Sequence, residues 1–88
     1  MKKKIIIGNW KNYLNHDESI HLSKKISKIN ISNNVQVMVS PNHLYLNEIN
    51  QIFNETNIEV IAQNVTSSES KSDTGGITVS NLKNLNIK

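Results

Sequence analysis

Cysteine is absent from this chain, which rules out a disulfide framework and a thiolate metal site. The three histidines, His16, His21 and His43, are not paired at metal-ligand spacing, and no carboxylate cluster offers an alternative. No metal and no cofactor are therefore expected. Aromatic residues are scarce, at 5%. The net charge of +3 comes from the lysine-rich start at Lys2-Lys3-Lys4 and from lysines spread over two helical stretches. Binding of nucleic acid calls for a basic stripe with aromatic or motif support, and neither is present. The longest apolar run, Ile5-Ile6-Ile7, is far too short for a membrane span, and no small-residue cleavage site follows it. These absences lead to the expectation of a soluble, cytoplasmic protein. Glycine occurs three times. Gly75-Gly76 has neither the spacing nor the Gly-Lys-Ser/Thr ending of a phosphate loop, and no Gly-x-Ser-x-Gly elbow occurs among the many serines.

What is present is an alternation of strand and helix patterns. The β-branched run of Lys4-Ile5-Ile6-Ile7 predicts a strand buried on both faces, as in parallel sheets. A polar connection leads to a helix that Asn15 or Asp17 can cap, with Leu22, Ile26 and Ile29 as its buried stripe beside Ile20. Val35-Gln36-Val37-Met38-Val39-Ser40 predicts a second strand, which Pro41 stops. Asn42 then opens a helix over 43–54, with Leu46, Ile49 and Phe53 facing inward. A third strand is predicted over 58–65, in which Glu59 could pair with a neighbouring lysine. The small, polar stretch 66–76 is long for a connection, a length associated with function or disorder. Thr78 or Ser80 opens a last short helix carrying Leu82, Leu85 and Val79. This order predicts right-handed βαβ units and a parallel sheet, within a single domain over 1–88.

Candidate chemistry concentrates where the first strand ends. Side chains alternate along a strand, so continued extension places Ile5, Ile7, Asn9 and Lys11 on one face. An amide and an ammonium then stand at the carboxyl end of a parallel strand, the end where α/β proteins bind ligands. Lys11 reads as a fixed cation for an anionic ligand, with Asn9 as its orienting neighbour. Locally, the same pattern also describes a turn with a solvated lysine. His16 reads as a solvated turn residue, and His21 and His43 as structural.

Gly8-Asn9-Trp10-Lys11 after an apolar strand resembles the opening signature of the triosephosphate isomerase family. Ser40-Pro41, Ala62-Gln63-Asn64-Val65, Thr74-Gly75 and the helix around Leu82-Lys83-Asn84-Leu85 follow in that family's order. The resemblance covers the whole chain. It implies an α/β fold, a partial TIM (β/α)8 barrel of three parallel strands alternating with helices. A complete barrel takes about 250 residues, so the 88 here match roughly its first three βα units, stopping where a fourth strand is expected.

The resemblance also implies roles. Asn9 and Lys11 match substrate-binding residues, the lysine supplying positive potential for a phosphorylated triose and its enediolate. Gln63 and Asn64 match residues near the same pocket. Thr74 and Gly75 match the tip of a loop that enters the neighbouring subunit of a homodimer. The family's chemistry uses a glutamate base and a neutral histidine, expected after strands six and four and so beyond Lys88. Four positions depart from the family pattern: Asn12 and Tyr13 stand for methionine and asparagine, Asp73 for an aromatic, and Gly76 for glutamate. Three of them fall on the subunit contact, while Asn9 and Lys11 are intact. The expectation is that this chain alone does not isomerise. The alternatives are one piece of a split isomerase, or a small non-catalytic module that holds an anion.

Overall fold

A computed structural model describes residues 4–66 and 75–88. Strands β1 (Lys4–Asn9), β2 (Val35–Ser40) and β3 (Ile58–Val60) form one sheet in the order β1-β2-β3, with both pairings parallel. Helix α1 (His16–Ser27) connects β1 to β2. A 3₁₀ turn (His43–Tyr45) and helix α2 (Leu46–Ile52) connect β2 to β3, and helix α3 (Val79–Asn84) comes last.

The register aligns Ile6, Val37 and Ile58, and then Gly8, Val39 and Val60, on one face of the sheet. That face is the covered one. Val39, Ile58 and Val60 join Leu46, Ile49 and Phe53 from the α2 region and Leu82 and Ile87 from the α3 region in a single buried cluster, against which Ile20 and Ile26 of α1 also pack. Leu46, Ile49 and Phe53 are buried as the helical spacing predicted. The predicted burial of β1 on both faces is not found. Ile5, Ile6 and Ile7 are all more than half exposed. β1 is an edge strand, and among the described residues no element covers the face that carries Ile5, Ile7 and Met38.

Helix α1 begins at a capping box. Asn15 Oδ1 accepts from the Glu18 amide at 2.9 Å, and Glu18 Oε1 accepts from the Asn15 amide at 3.0 Å. Its fully buried positions are Ser19 and Ser23 rather than the predicted Leu22 and Ile29. Serine is small enough for close helix packing, and Ser23 Oγ donates to the Ser19 carbonyl at 2.7 Å, which satisfies the buried hydroxyl. Ile29 lies past the helix end and is exposed.

The helix predicted over 43–54 is a capped 3₁₀ turn running into a shorter α-helix. The third strand, predicted over 58–65, ends as a ladder at Val60 because Pro41, just past the end of β2, has no N–H to give the following carbonyl. Ile61 N–H still donates to the Val39 carbonyl at 2.9 Å. Ala62 N–H donates to the Lys88 carbonyl at 2.7 Å, and Lys88 N–H to the Val60 carbonyl at 3.3 Å. Lys88 therefore occupies the outer edge of β3 in the parallel pattern, and its ammonium pairs with Glu59 at 3.2 Å.

What delivers Lys88 there is the end of α3. Thr78 caps the helix, with Asn81 completing the box. At the other end Asn86 adopts φ +58. Its N–H donates to the Lys83 carbonyl at 3.1 Å, and Ile87 N–H donates to the Leu82 carbonyl at 2.9 Å. That is a Schellman stop with asparagine in the left-handed position, and its usual apolar contact is supplied by Leu82 and Ile87, both buried. The sequence predicted Leu82, Leu85 and Val79 as the apolar set; Leu85 and Val79 are exposed, and Ile87 takes the inner place. No helix among the described residues is long and apolar enough to cross a membrane.

Candidate functional site at the strand ends

Asn9 and Ser40 are register partners and the last residues of their strands, so the two chains leave the sheet side by side. Trp10 N–H donates to the Ser40 carbonyl at 2.9 Å and extends the pairing by one bond. The backbone then turns sharply. Lys11 sits at φ +49, the left-handed region that costs a non-glycine residue roughly 1–2 kcal/mol. The predicted common face for Ile5, Ile7, Asn9 and Lys11 therefore stops at Asn9, because extension does not continue to Lys11.

Both backbone groups of Lys11 are held by side chains. Its N–H donates to Asn9 Oδ1 at 3.0 Å, and its carbonyl accepts from Gln63 Nε2 at 3.0 Å. The same Gln63 nitrogen donates to the Ser40 carbonyl at 3.0 Å. One amide after β3 thus ties together the ends of β1 and β2. The bottom-up reading of residues missed Gln63. Its only local signal is a long polar side chain just past an apolar strand, at the level where the other strands end.

The Lys11 ammonium lies 5.8 Å from the centre of the Tyr13 ring. No carboxylate among the described residues is within ion-pair distance of it, so its charge is not neutralised. Asn9 uses its carbonyl on Lys11, which leaves its amide N–H groups without a partner among the described residues. A cation and an amide donor are carried by residues two apart at the carboxyl end of a parallel sheet, a donor set suited to an oxyanion.

The surrounding loops are tied to one another. Asn42 Nδ2 donates to Asn12 Oδ1 at 2.8 Å, and Asn64 N–H donates to His43 Nε2 at 3.2 Å, a structural use of that histidine. His16 is not a solvated turn residue but the first residue of α1. Its Nε2 lies 2.7 Å from Glu48 Oε1, its Nδ1 lies 3.4 Å from Asp17 Oδ1, and Tyr45 meets its ring edge-on at 5.2 Å. The Glu48 contact, then that of Asp17, raises the His16 pKa above its usual 6.5. Glu48 is thereby engaged across two helices. Among the described residues, no group of three or more histidine, aspartate or glutamate side chains could hold a metal. Gly75 is exposed at φ +80 with open space around the missing Cβ, whereas Thr74 lies outside the described residues.

The family model described as triosephosphate isomerase matches residues 4–88. The chain belongs to the triosephosphate isomerase family. It is 33% identical to a protein named triosephosphate isomerase from Mycoplasmopsis pulmonis, an alignment that takes in the whole of this chain and 38% of the relative. Identity is 36% to the protein of that name from Clostridium tetani and 34% to the one from Leptospira biflexa, each over 99–100% of this chain and 34–35% of the relative. The chain thus spans about a third of the length of the curated relatives it matches. Family membership agrees with the observed parallel strands alternating with helices in an open sheet, part of a TIM barrel.

Proposed function

We propose that residues 1–88 supply the amino-terminal, anion-holding part of a triosephosphate isomerase, whose complete reaction interconverts dihydroxyacetone phosphate and glyceraldehyde 3-phosphate in glycolysis and gluconeogenesis. The observation that carries this reading is Lys11: a cation with no carboxylate partner among the described residues, on a backbone fixed at both its N–H and its C=O. In this reading Lys11 attracts the phosphorylated triose and favours negative charge developing on its oxygens, and Asn9 donates beside it. A cytoplasmic setting and a homodimer, with Thr74 and Gly75 reaching a partner subunit, follow from the family. Asn12 is a departure on the dimer side, being hydrogen-bonded to Asn42 of its own chain.

The proton-transfer step needs a base, and a positioned acid–base group typically contributes about 10²–10⁴-fold. Among the described carboxylates, Glu48 is engaged by His16 and Glu59 by Lys88. Asp17 lies against His16, Glu18 caps α1, and Glu55 precedes β3 at the opposite end of the sheet from Lys11. With no described carboxylate free beside Lys11, residues 1–88 alone are inactive in this reading. The test of the anion site is a titration of the labelled chain with inorganic phosphate, followed by amide NMR. Shifts confined to residues around Asn9, Lys11 and Gln63, and abolished by Lys11→Ala, are expected. Shifts that survive Lys11→Ala would exclude Lys11 as the anion ligand.

A further inference from the structure

We propose that Tyr13 is a positioning residue for this anion site, its ring holding the Lys11 ammonium at the strand ends before a phosphate monoester arrives. The proposal rests on the reading of Lys11 given above and adds a residue that departs from the family pattern. Tyr13 is 77% exposed, an unusual place for an aromatic ring in a chain with so few.

The turn that carries Tyr13 is fixed at several points. Tyr13 N–H donates back to the Trp10 carbonyl at 3.3 Å, closing a turn over Trp10, Lys11, Asn12 and Tyr13. Asn12 is anchored to Asn42, and Lys11 is latched by Asn9 and Gln63. With φ +49 at Lys11, this turn brings the Lys11 ammonium to 5.8 Å from the centre of the Tyr13 ring, within the range of a cation–π contact.

The choice of an aromatic neighbour has a chemical consequence. A lysine carries its charge on a four-carbon stem that samples a wide volume. A carboxylate would restrain that stem but would also neutralise the charge and compete with an incoming phosphate. The face of a neutral ring restrains the ammonium and leaves its N–H donors on the far side available. The contact and the anion are therefore compatible, and the ring lowers the ordering required on binding. An exposed cation–π contact corresponds to about a two- to fivefold change in affinity.

The experiment compares wild type, Tyr13→Leu and Tyr13→Phe in the full 88-residue chain. Carbon-13 NMR follows the Lys11 Cε–Hε signal, and amide spectra confirm that β1 and β2 remain paired in each variant. In wild type and Tyr13→Phe, ring current is expected to move Lys11 Hε upfield. In Tyr13→Leu the signal returns to the position of the other exposed lysines, and the Kd for inorganic phosphate rises about two- to fivefold. A tyrosine that only supported the turn would leave the Lys11 Hε signal at the position of the other exposed lysines in all three proteins. An Hε signal that is the same in wild type and Tyr13→Leu, or an unchanged phosphate Kd, overturns the role of Tyr13 alone. Absence of any phosphate response in wild type overturns the anion reading itself, and the positioning role with it.

Discussion

A lysine in left-handed conformation persists only where its surroundings over-determine it, and at Lys11 they do. Asn9 holds the N–H, while Gln63 holds the carbonyl and bridges to Ser40. The lysine and the asparagine were legible in the sequence because they follow an apolar strand directly. Gln63 was not legible from the residues alone, since its partners lie 52 and 23 residues away. His16 was misread for the same reason: Glu48, its partner, is on another helix 32 residues on. That pair has a measurable consequence. The raised His16 pKa means that protonation is favoured in the folded chain. Its stabilising contribution is thus complete below the ordinary value of 6.5 and disappears as pH rises through the native value. The His16 Cε1–H resonance is expected to titrate above 6.5, and Glu48→Gln to bring its midpoint down. A midpoint indifferent to Glu48→Gln would remove the pair from the account.

At the scale of elements, local chemistry was read well where caps and strand ends are written in short motifs. The span of β2 matched, Pro41 ended its ladder, and Asn15, Asn42 and Thr78 cap the elements that follow them. Periodicity failed where burial depends on a neighbour. The α1 stripe kept Ile20 and Ile26 but centred on Ser19 and Ser23, and β3 ended early where Pro41 on the β2 side offers it no N–H. The stop after α3 was hidden because Asn86 stands where glycine is the usual signal. Its left-handed backbone predicts a clear contrast: Asn86→Ala costs about 1 kcal/mol, and Asn86→Gly is neutral or stabilising by a few tenths. Denaturation midpoints of the two variants check this, and equal losses would show that the Asn86 side chain rather than its φ sets the stop.

The whole molecule is an open slab. Its extents are 43 × 34 × 21 Å and its radius of gyration is 13.8 Å, against roughly 12 Å for an ordinary domain of this length. Its accessible surface of 6535 Å² exceeds the roughly 5,200 Å² expected of a folded chain of this mass. The excess agrees with the bare face of the sheet and the exposed isoleucines of β1, so the parallel topology was legible but the burial of β1 was not. Burial of β1 on both faces needs a neighbour beyond its edge and a cover for its second face, and the described residues provide neither. The same openness bears on chemistry, because water left in a site weakens the electrostatic help of a cation.

In the proposed reading Lys11 is a phosphate-directed cation, and no base to move the substrate's proton stands beside it among the described residues. A coupled triose phosphate assay on purified residues 1–88, run beside Lys11→Ala, tests that claim most directly. The predicted result is turnover at background for both proteins. Turnover by the wild-type chain that disappears in Lys11→Ala would contradict the account, because it would show that these residues assemble a working base around Lys11.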